Sequence, residues 1–299
     1  MNAPLDPKIT HRDHPLDPAK LRSDYERDGY TVVRGLFSPA ELAALAADFD
    51  RVLAHGLGKG RSWRHGNLLY RLGDDPNLGR ILRMVQWPAR EDAALAGRLA
   101  ALRLDRRFIE VLSPLIGGDL KQIINQMHWK PPGAVRADFA YHQDSRFRRP
   151  PSAYRDLAGS YVQTGLAIDP HTRASGAMRV IPGSHKRGEL GLGGDGPILR
   201  QAMQDEALKA AGLDVSQVVD LELEPGDLAL WSPYLVHGSG PNVSDRDRRL
   251  YINGYVTAQN CDRGEWAFRN SEPVPLGPQS VLVSFEGLHD RPEPHFLED

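Results

Sequence analysis

The sequence predicts a mainly β protein with helical additions, in which a double-stranded β-helix (jelly-roll) core carries N-terminal helices packed outside it. Three observations carry this prediction. Helical segments, one with a capping box and a buried stripe, mark residues 17–120, whereas from Lys121 onward short β-rich runs are separated by Gly, Pro and Asp. The chain's 23 Pro and 29 Gly call for many turns and irregular connections. Finally, His142 and His237 are too distant for local structure to join, and a jelly roll returns a late strand beside an early one.

A chain of 299 residues fits either two domains or one barrel with an extension, and the absence of a strong linker favours one. We expect a flexible arm over 1–16, a mainly helical part over 17–120, and the jelly-roll core over 121–260 with a helical insertion near 190–215. A C-terminal tail covers 261–299. The 40% hydrophobic and 25% charged residues describe a globular protein with a large core. A net charge of −2 gives no global field toward nucleic acid or an anionic membrane. No run reaches the roughly 18 apolar residues of a membrane span. Met1–Leu16 lacks the apolar stretch of a secretory signal. The single Cys261 excludes an internal disulfide and a multi-cysteine zinc site, which fits a cytoplasmic protein. A small-molecule substrate and a monomer or homodimer are the expected partners.

In order, a charged helix is predicted over Asp17–Asp28, then Gly29 and a short strand, Tyr30–Val33. Ser38, Pro39 and Glu41 form a capping box with proline at the first helical position. Leu42, Leu45, Ala46, Phe49 and Leu53 continue that helix with one buried stripe, ended by Gly56 or Gly58. Residues 57–90 read as a solvated loop over the barrel, although Arg61, Arg64, His65, Tyr70 and Arg71 interleave basic and aromatic groups there. Helices near 90–101 and 105–116 end at Gly117-Gly118. Strands follow over Gln122–Lys130, Phe139–Asp144, Ser160–Ile168, Ala177–Ile181, Val218–Leu223, Asp227–Ser232 and Arg248–Thr257, with a helix at Gln201–Ala211.

His142 and Asp144 are one residue apart, so on a strand they share a face. With His237 they form a two-histidine, one-carboxylate set that leaves the opposite metal positions open. Such donors suit Fe(II) without excluding Zn, Mn or Ni, and a buried His–Asp hydrogen bond beside an ordinary loop histidine is the competing reading. A second His-x-Asp, His11-Arg12-Asp13, lies on the arm, where nothing rigid holds ligands. Arg248 opens a strand eleven residues after His237 and offers a bidentate fork to a carboxylate, to which Ser239 adds a hydroxyl. His185 sits on a basic turn and reads as a surface residue.

Five landmarks occur in order: Lys130-Pro131-Pro132-Gly133; His142-Gln143-Asp144; Gly176-Ala177-Met178-Arg179-Val180-Ile181-Pro182-Gly183-Ser184-His185-Lys186; Gly226-Asp227; and His237-Gly238-Ser239-Gly240-Pro241-Asn242 with Arg248. Together they make the chain resemble the phytanoyl-CoA dioxygenase family of Fe(II)/2-oxoglutarate oxygenases from Asp28 to about Tyr255. The resemblance implies that His142, Asp144 and His237 hold Fe(II), and that Arg248, assisted by Ser239, clamps 2-oxoglutarate. It also implies that Gln126 and Gln143 lie near the co-substrate. Neighbours on a strand face opposite ways, so only one of Arg248 and Arg249 lines the barrel, and the family spacing selects Arg248. The chain has Ala174-Ser175-Gly176 where the family often has Asn-Gly, which implies a changed loop that keeps its turn glycine. The presence of Asp144 argues against the halogenating relatives, which lack this carboxylate.

The expected function is therefore hydroxylation of an unactivated C–H bond of a small organic substrate, using O2 and 2-oxoglutarate and releasing succinate and CO2. Trp129, Tyr141, Arg146 and Phe147 flank the metal motif and are the candidate substrate contacts, although the arginines of this Pro-rich loop read equally well as solvated. A metal-dependent isomerase or hydrolase on a cupin-like barrel is one alternative, and a non-catalytic ligand-binding barrel is another. Neither explains a co-substrate arginine after His237.

Overall fold

The computed structural model describes residues 15–193, 204–281 and 291–298. His11-Arg12-Asp13 and residues 194–203 of the expected insertion lie outside them. The elements run α1 (Pro18–Asp28), β1 (Tyr30–Val33), α2 (Pro39–Gly58), β2 (Trp63–His65), β3 (Leu68–Asp75), β4 (Gly79–Gln86), α3 (Ala93–Ala96), α4 (Leu99–Arg103), α5 (Arg106–Ile116), β5 (Leu120–Lys130) and β6 (Phe139–His142). They continue with α6 (Leu157–Ser160), β7 (Tyr161–Ala167), β8 (Met178–Val180), α7 (Asp205–Ala210), β9 (Val219–Leu221), β10 (Leu228–Trp231), β11 (His237–Ser239), β12 (Arg248–Thr257), β13 (Glu265–Arg269), β14 (Glu272–Pro273) and β15 (His295–Phe296).

Among the described residues the strands form two antiparallel sheets. The larger runs β1-β10-β7-β12-β5-β4-β3-β2-β15, with β13 also on β5 and β14 on β13; the smaller runs β6-β11-β8-β9. They face each other as a jelly roll, and Ala167, Val180, Leu221, Ala229 and Trp231 pack between them. The opposite face of the larger sheet is covered by α1, α2 and α5, whose Leu21, Leu45, Phe49, Phe108 and Leu112 join Met127, Trp129, Tyr251 and Tyr255 in the main core.

The α2 cap forms as its sequence requires. Ser38 Oγ accepts from Glu41 N at 3.2 Å, and Glu41 Oε2 accepts from Ser38 N at 2.8 Å. Glu41 also pairs with the buried Arg107, which Asp105 holds from its other side. The helix expected at 90–101 starts at the Asp92 cap as α3 and is broken at Gly97 (φ 55°), after which α4 begins. No helix among the described residues is long and apolar enough to cross a membrane.

Two expectations are corrected here. Residues 57–90 are not a loop. They form the antiparallel β2-β3-β4 meander, joined to the barrel by pairing of β4 with β5. Its first turn is Gly66-Asn67, with Gly66 at φ 56° as a tight hairpin needs. Residues 261–299 are not simply a tail either, since β13 pairs with β5 and β15 pairs with β2.

Candidate metal centre

His142 ends β6 and His237 begins β11, and the two are direct partners across the ladder. Gln143 continues in extended conformation (φ −121°, ψ 136°), which returns Asp144 to the face of His142 before a 3-10 turn begins. His142 Nε2 lies 3.7 Å from Asp144 Oδ1, and His237 Nε2 lies 3.8 Å from Asp144 Oδ2. One donor atom from each of the three residues falls within 4.8 Å of the others, and all three residues are buried.

Their surroundings fix which atoms face inward. His142 Nδ1 donates to Ala140 O at 2.8 Å and His237 Nδ1 to Leu235 O at 3.0 Å, so each Nε2 carries a lone pair toward the common centre. Trp231 Nε1 donates to Asp144 Oδ2 at 2.9 Å. Gly165 leaves room for this indole, since a Cβ there would stand 3.1 Å from its ring. Burial, with His142 alongside, pushes His237 down to about 4, so its imidazole is neutral at pH 7. Burial alone would raise Asp144, but the adjacent imidazoles hold its carboxyl well below the ordinary carboxylate range. Two imidazole nitrogens and one carboxylate fit Fe(II), and three protein donors leave further metal positions for other ligands.

A second group of side chains lies beside the triad. Lys130 on β5 and Arg248 on β12 are direct ladder partners, and both are buried. Lys130 Nζ donates to Ser239 Oγ at 2.7 Å and also to Gly240 O and, at 3.5 Å, Gly176 O. Gly176 has φ +76°, and a Cβ there would meet Gly240 O at 2.5 Å, which explains why the turn glycine stays although the preceding residues are Ala174-Ser175. The altered turn is closed by Ser175 Oγ, which accepts from Thr172 N. Arg248 Nε donates to His171 Nδ1 at 3.4 Å, and His171 Nε2 donates to Arg249 O at 3.2 Å. Neither Lys130 nor Arg248 pairs with a carboxylate among the described residues. Burial and the charge of Arg248 push Lys130 well below the usual lysine range. Two facing cations in a dry barrel fit the distal carboxylate of 2-oxoglutarate. Arg249 points the other way, to Asp169 and Asp50.

The remaining sequence candidates divide by strand parity. Gln126 shares the inner face of β5 with His128 and Lys130, and its Oε1 lies 3.0 Å from His128 Nε2. Phe147 sets its ring edge-on to His142 at 6.0 Å. Arg146 is half-buried and donates to Gly193 O. Three assignments are corrected. Gln143 alternates away from the metal face, and its amide is spent on Gly188 O, Tyr234 O and Leu190 N. Tyr141 alternates likewise and packs with Ile181, Leu208 and Leu213 outside the smaller sheet. Trp129 faces the helices and packs at a tilt against Phe49, ring centroids 5.3 Å apart.

Sequence reasoning assigned no role to Lys130, His128, Phe139, His171 or Trp231. Period-two reading of β5 from Gln126 marks His128 and Lys130; nothing local marks the other three. Phe139 stands 5.7 Å from the His128 ring and 5.5 Å from Lys130 Nζ.

The comparisons agree with this geometry. The phytanoyl-CoA dioxygenase family model matches residues 25–250. Dioxygenase lolE1 of Epichloe uncinata is 26% identical over 247 residues, covering 81% of this chain and 84% of its own. A probable alpha-ketoglutarate-dependent hypophosphite dioxygenase of Stutzerimonas stutzeri is 25% identical, covering 80% and 79%. EctD from S. alaskensis, solved with 2-oxoglutarate and 5-hydroxyectoine, shares the fold at a TM-score of 0.59 and 21% identity, covering 95% of this chain and 94% of that one. With its landmarks in order and its donor set assembled inside a jelly roll, the chain belongs to the phytanoyl-CoA dioxygenase family.

Proposed function

We propose that this Fe(II)- and 2-oxoglutarate-dependent dioxygenase hydroxylates a C–H bond of a small organic substrate, with release of succinate and CO2. The observation that carries the reading is the pairing, in one barrel, of the His142–Asp144–His237 donor set with two buried cations that have no carboxylate partner among the described residues. Iron, when bound, supplies the activation of O2 coupled to decarboxylation of the 2-oxo acid, chemistry that no side chain carries.

The chain's own residues do the positioning. His142 and His237 present Nε2, and Asp144 presents an oxygen while Trp231 holds its other one. Lys130 and Arg248 grip the distal carboxylate of 2-oxoglutarate. Ser239 and His171 hydrogen-bond those two cations, and Ser239 keeps its own hydroxyl proton for the co-substrate carboxylate it is expected to assist in holding. Phe139 and Phe147 flank the centre and limit water. A metal-dependent isomerase or hydrolase, or a passive binding barrel, gives no reason to bury Lys130 against Arg248. We place the protein in the cytoplasm, as a monomer or homodimer with no nucleic-acid partner, on its near-neutral charge and single cysteine.

The test is succinate formation by purified protein with Fe(II), ascorbate, 2-oxoglutarate and a broad substrate panel. Arg248→Ala should raise the KM for 2-oxoglutarate at least tenfold while Fe(II) binding is retained. A protein that neither binds 2-oxoglutarate nor forms succinate on any substrate overturns the reading.

A further inference from the structure

The β2-β3-β4 meander does more than extend a sheet edge. Its inner face continues that of the barrel, because the ladders run in register from one strand to the next. Arg71 pairs with Met84, Met84 with His128, and His128 with Leu250. One row along, Arg64 pairs with Leu69, Leu69 with Gln86, and Gln86 with Gln126. Arg83 sits at the β3–β4 bulge on the same side, where its side chain would lie 3.0 Å from a Cβ on Gly73. Three arginines therefore share a face that leads directly to the co-substrate cations.

Among the described residues these arginines have no carboxylate partner of the kind that several other arginines of the fold have. Arg107, Arg90 and Arg249 each meet a carboxylate. Arg64, which is buried, donates to Gly66 O at 3.2 Å and to no other described residue. Half-buried Arg83 donates only to Asp138 O at 3.5 Å, and its guanidinium lies 5.8 Å from the Phe139 ring. Half-buried Arg71 makes no hydrogen bond or ion pair with any described residue. Burial lowers Arg64 to about 10 and lowers Arg83, and the neighbouring Arg71 adds to both effects. The carboxylates of Asp138 and Asp75 act on Arg83 from a distance, without forming an ion pair with it. Like charges on adjacent strands of one face cost stability unless something anionic lies between them.

We propose that this face is the substrate-recognition surface of the dioxygenase and that the substrate carries an anionic group, carboxylate or phosphonate in type, held by Arg71 and Arg83. Arg64 adds to the field behind them. The guanidinium fork suits the planar carboxylate and the phosphonate alike. Arg71 stands two strands from His128, about 10 Å at the usual strand spacing, so the anionic end would sit one small molecule's length from the metal side of the barrel. Phe139 lies between Arg83 and Lys130, which separates this anion from the distal carboxylate of 2-oxoglutarate. The inference rests on the dioxygenase reading and narrows it to a class of substrate.

The test is isothermal titration of protein loaded with Mn(II) and 2-oxoglutarate, using phenylphosphonate, benzoate and neutral benzamide as probes at low ionic strength. At least one anion should bind ten times more tightly than benzamide, and the two anion arms tell which headgroup is preferred. An Arg71→Gln/Arg83→Gln double variant should lose at least tenfold in anion affinity, while the Kd for 2-oxoglutarate moves less than threefold. Anion binding equal to that of benzamide, equal in the double variant, or absent from protein that binds 2-oxoglutarate overturns the proposal. If 2-oxoglutarate itself fails to bind, the dioxygenase reading falls, and the same titration on metal-free protein still decides whether the arginines hold an anion.

Discussion

Asp144 presents one oxygen to the centre and gives the other to Trp231 Nε1 at 2.9 Å, so the indole sets the direction of the carboxylate. Trp231→Phe keeps an aromatic ring against Gly165 and removes only that donor. Partners of this kind are worth about 10- to 100-fold in metal affinity. We expect a loss in that range by Co(II) titration, with the far-ultraviolet dichroism unchanged; an unaltered affinity would show that the indole is packing alone. Lys130 makes a second case at this scale. With 2-oxoglutarate at a hundred times its Kd, binding stabilises the native state by about 2.7 kcal/mol, and a tenfold weaker site gives about 1.4 kcal/mol. Lys130→Met should therefore cut the ligand-induced stabilisation in chemical denaturation to about half or less. A full ligand effect in this variant would assign the carboxylate to Arg248 alone.

Elements were legible wherever a local rule fixes them. The capping box of α2 depends on Ser38 and Glu41, three residues apart, and its stripe on a 3.6-residue period, and both form. Phe49 from that stripe is fully buried against Trp129. Phe49→Ala should cost about 3–5 kcal/mol, the usual range for emptying such a site, read as a lower urea midpoint with unchanged slope. The β2-β3-β4 meander was missed because Arg, Gly and Asp dilute its strands, although Gly66-Asn67 signals a hairpin. At the metal motif, alternation told which residues share a face and not which face is inside. That is why Trp129 and Tyr141 were placed with the substrate, yet pack on helices and on α7's cluster. Lys130 reads as a solvated strand lysine until β12 and β11 bring Arg248 and Ser239 to it from more than a hundred residues away.

At the scale of the whole molecule, the barrel gathers cations and neutral histidines into one dry interior, and this couples stability to pH. Burial, with Arg248, Lys130 and Arg83 around it, pushes His128 down to about 3, and burial with Arg248 pushes His171 well below the usual range. The unfolded chain binds a proton at each near pH 6.5, while the folded chain refuses one at His128 until about 3. Protons thus favour the unfolded state across that interval. The stabilisation is complete above about 6.5 and falls as the pH drops toward 3, with a slope of about 1.4 kcal/mol per pH unit for each such histidine. Urea denaturation between pH 7 and 5 should show unfolding free energy declining, with the slope per histidine growing from a fraction of this limit near pH 7 to nearly all of it at pH 5. His128→Gln, which keeps a polar partner for Gln126, should flatten the slope by about one histidine's share. A slope that is unchanged in this variant would mean that His128 already titrates normally in the folded barrel, and that the cations around it are screened by water.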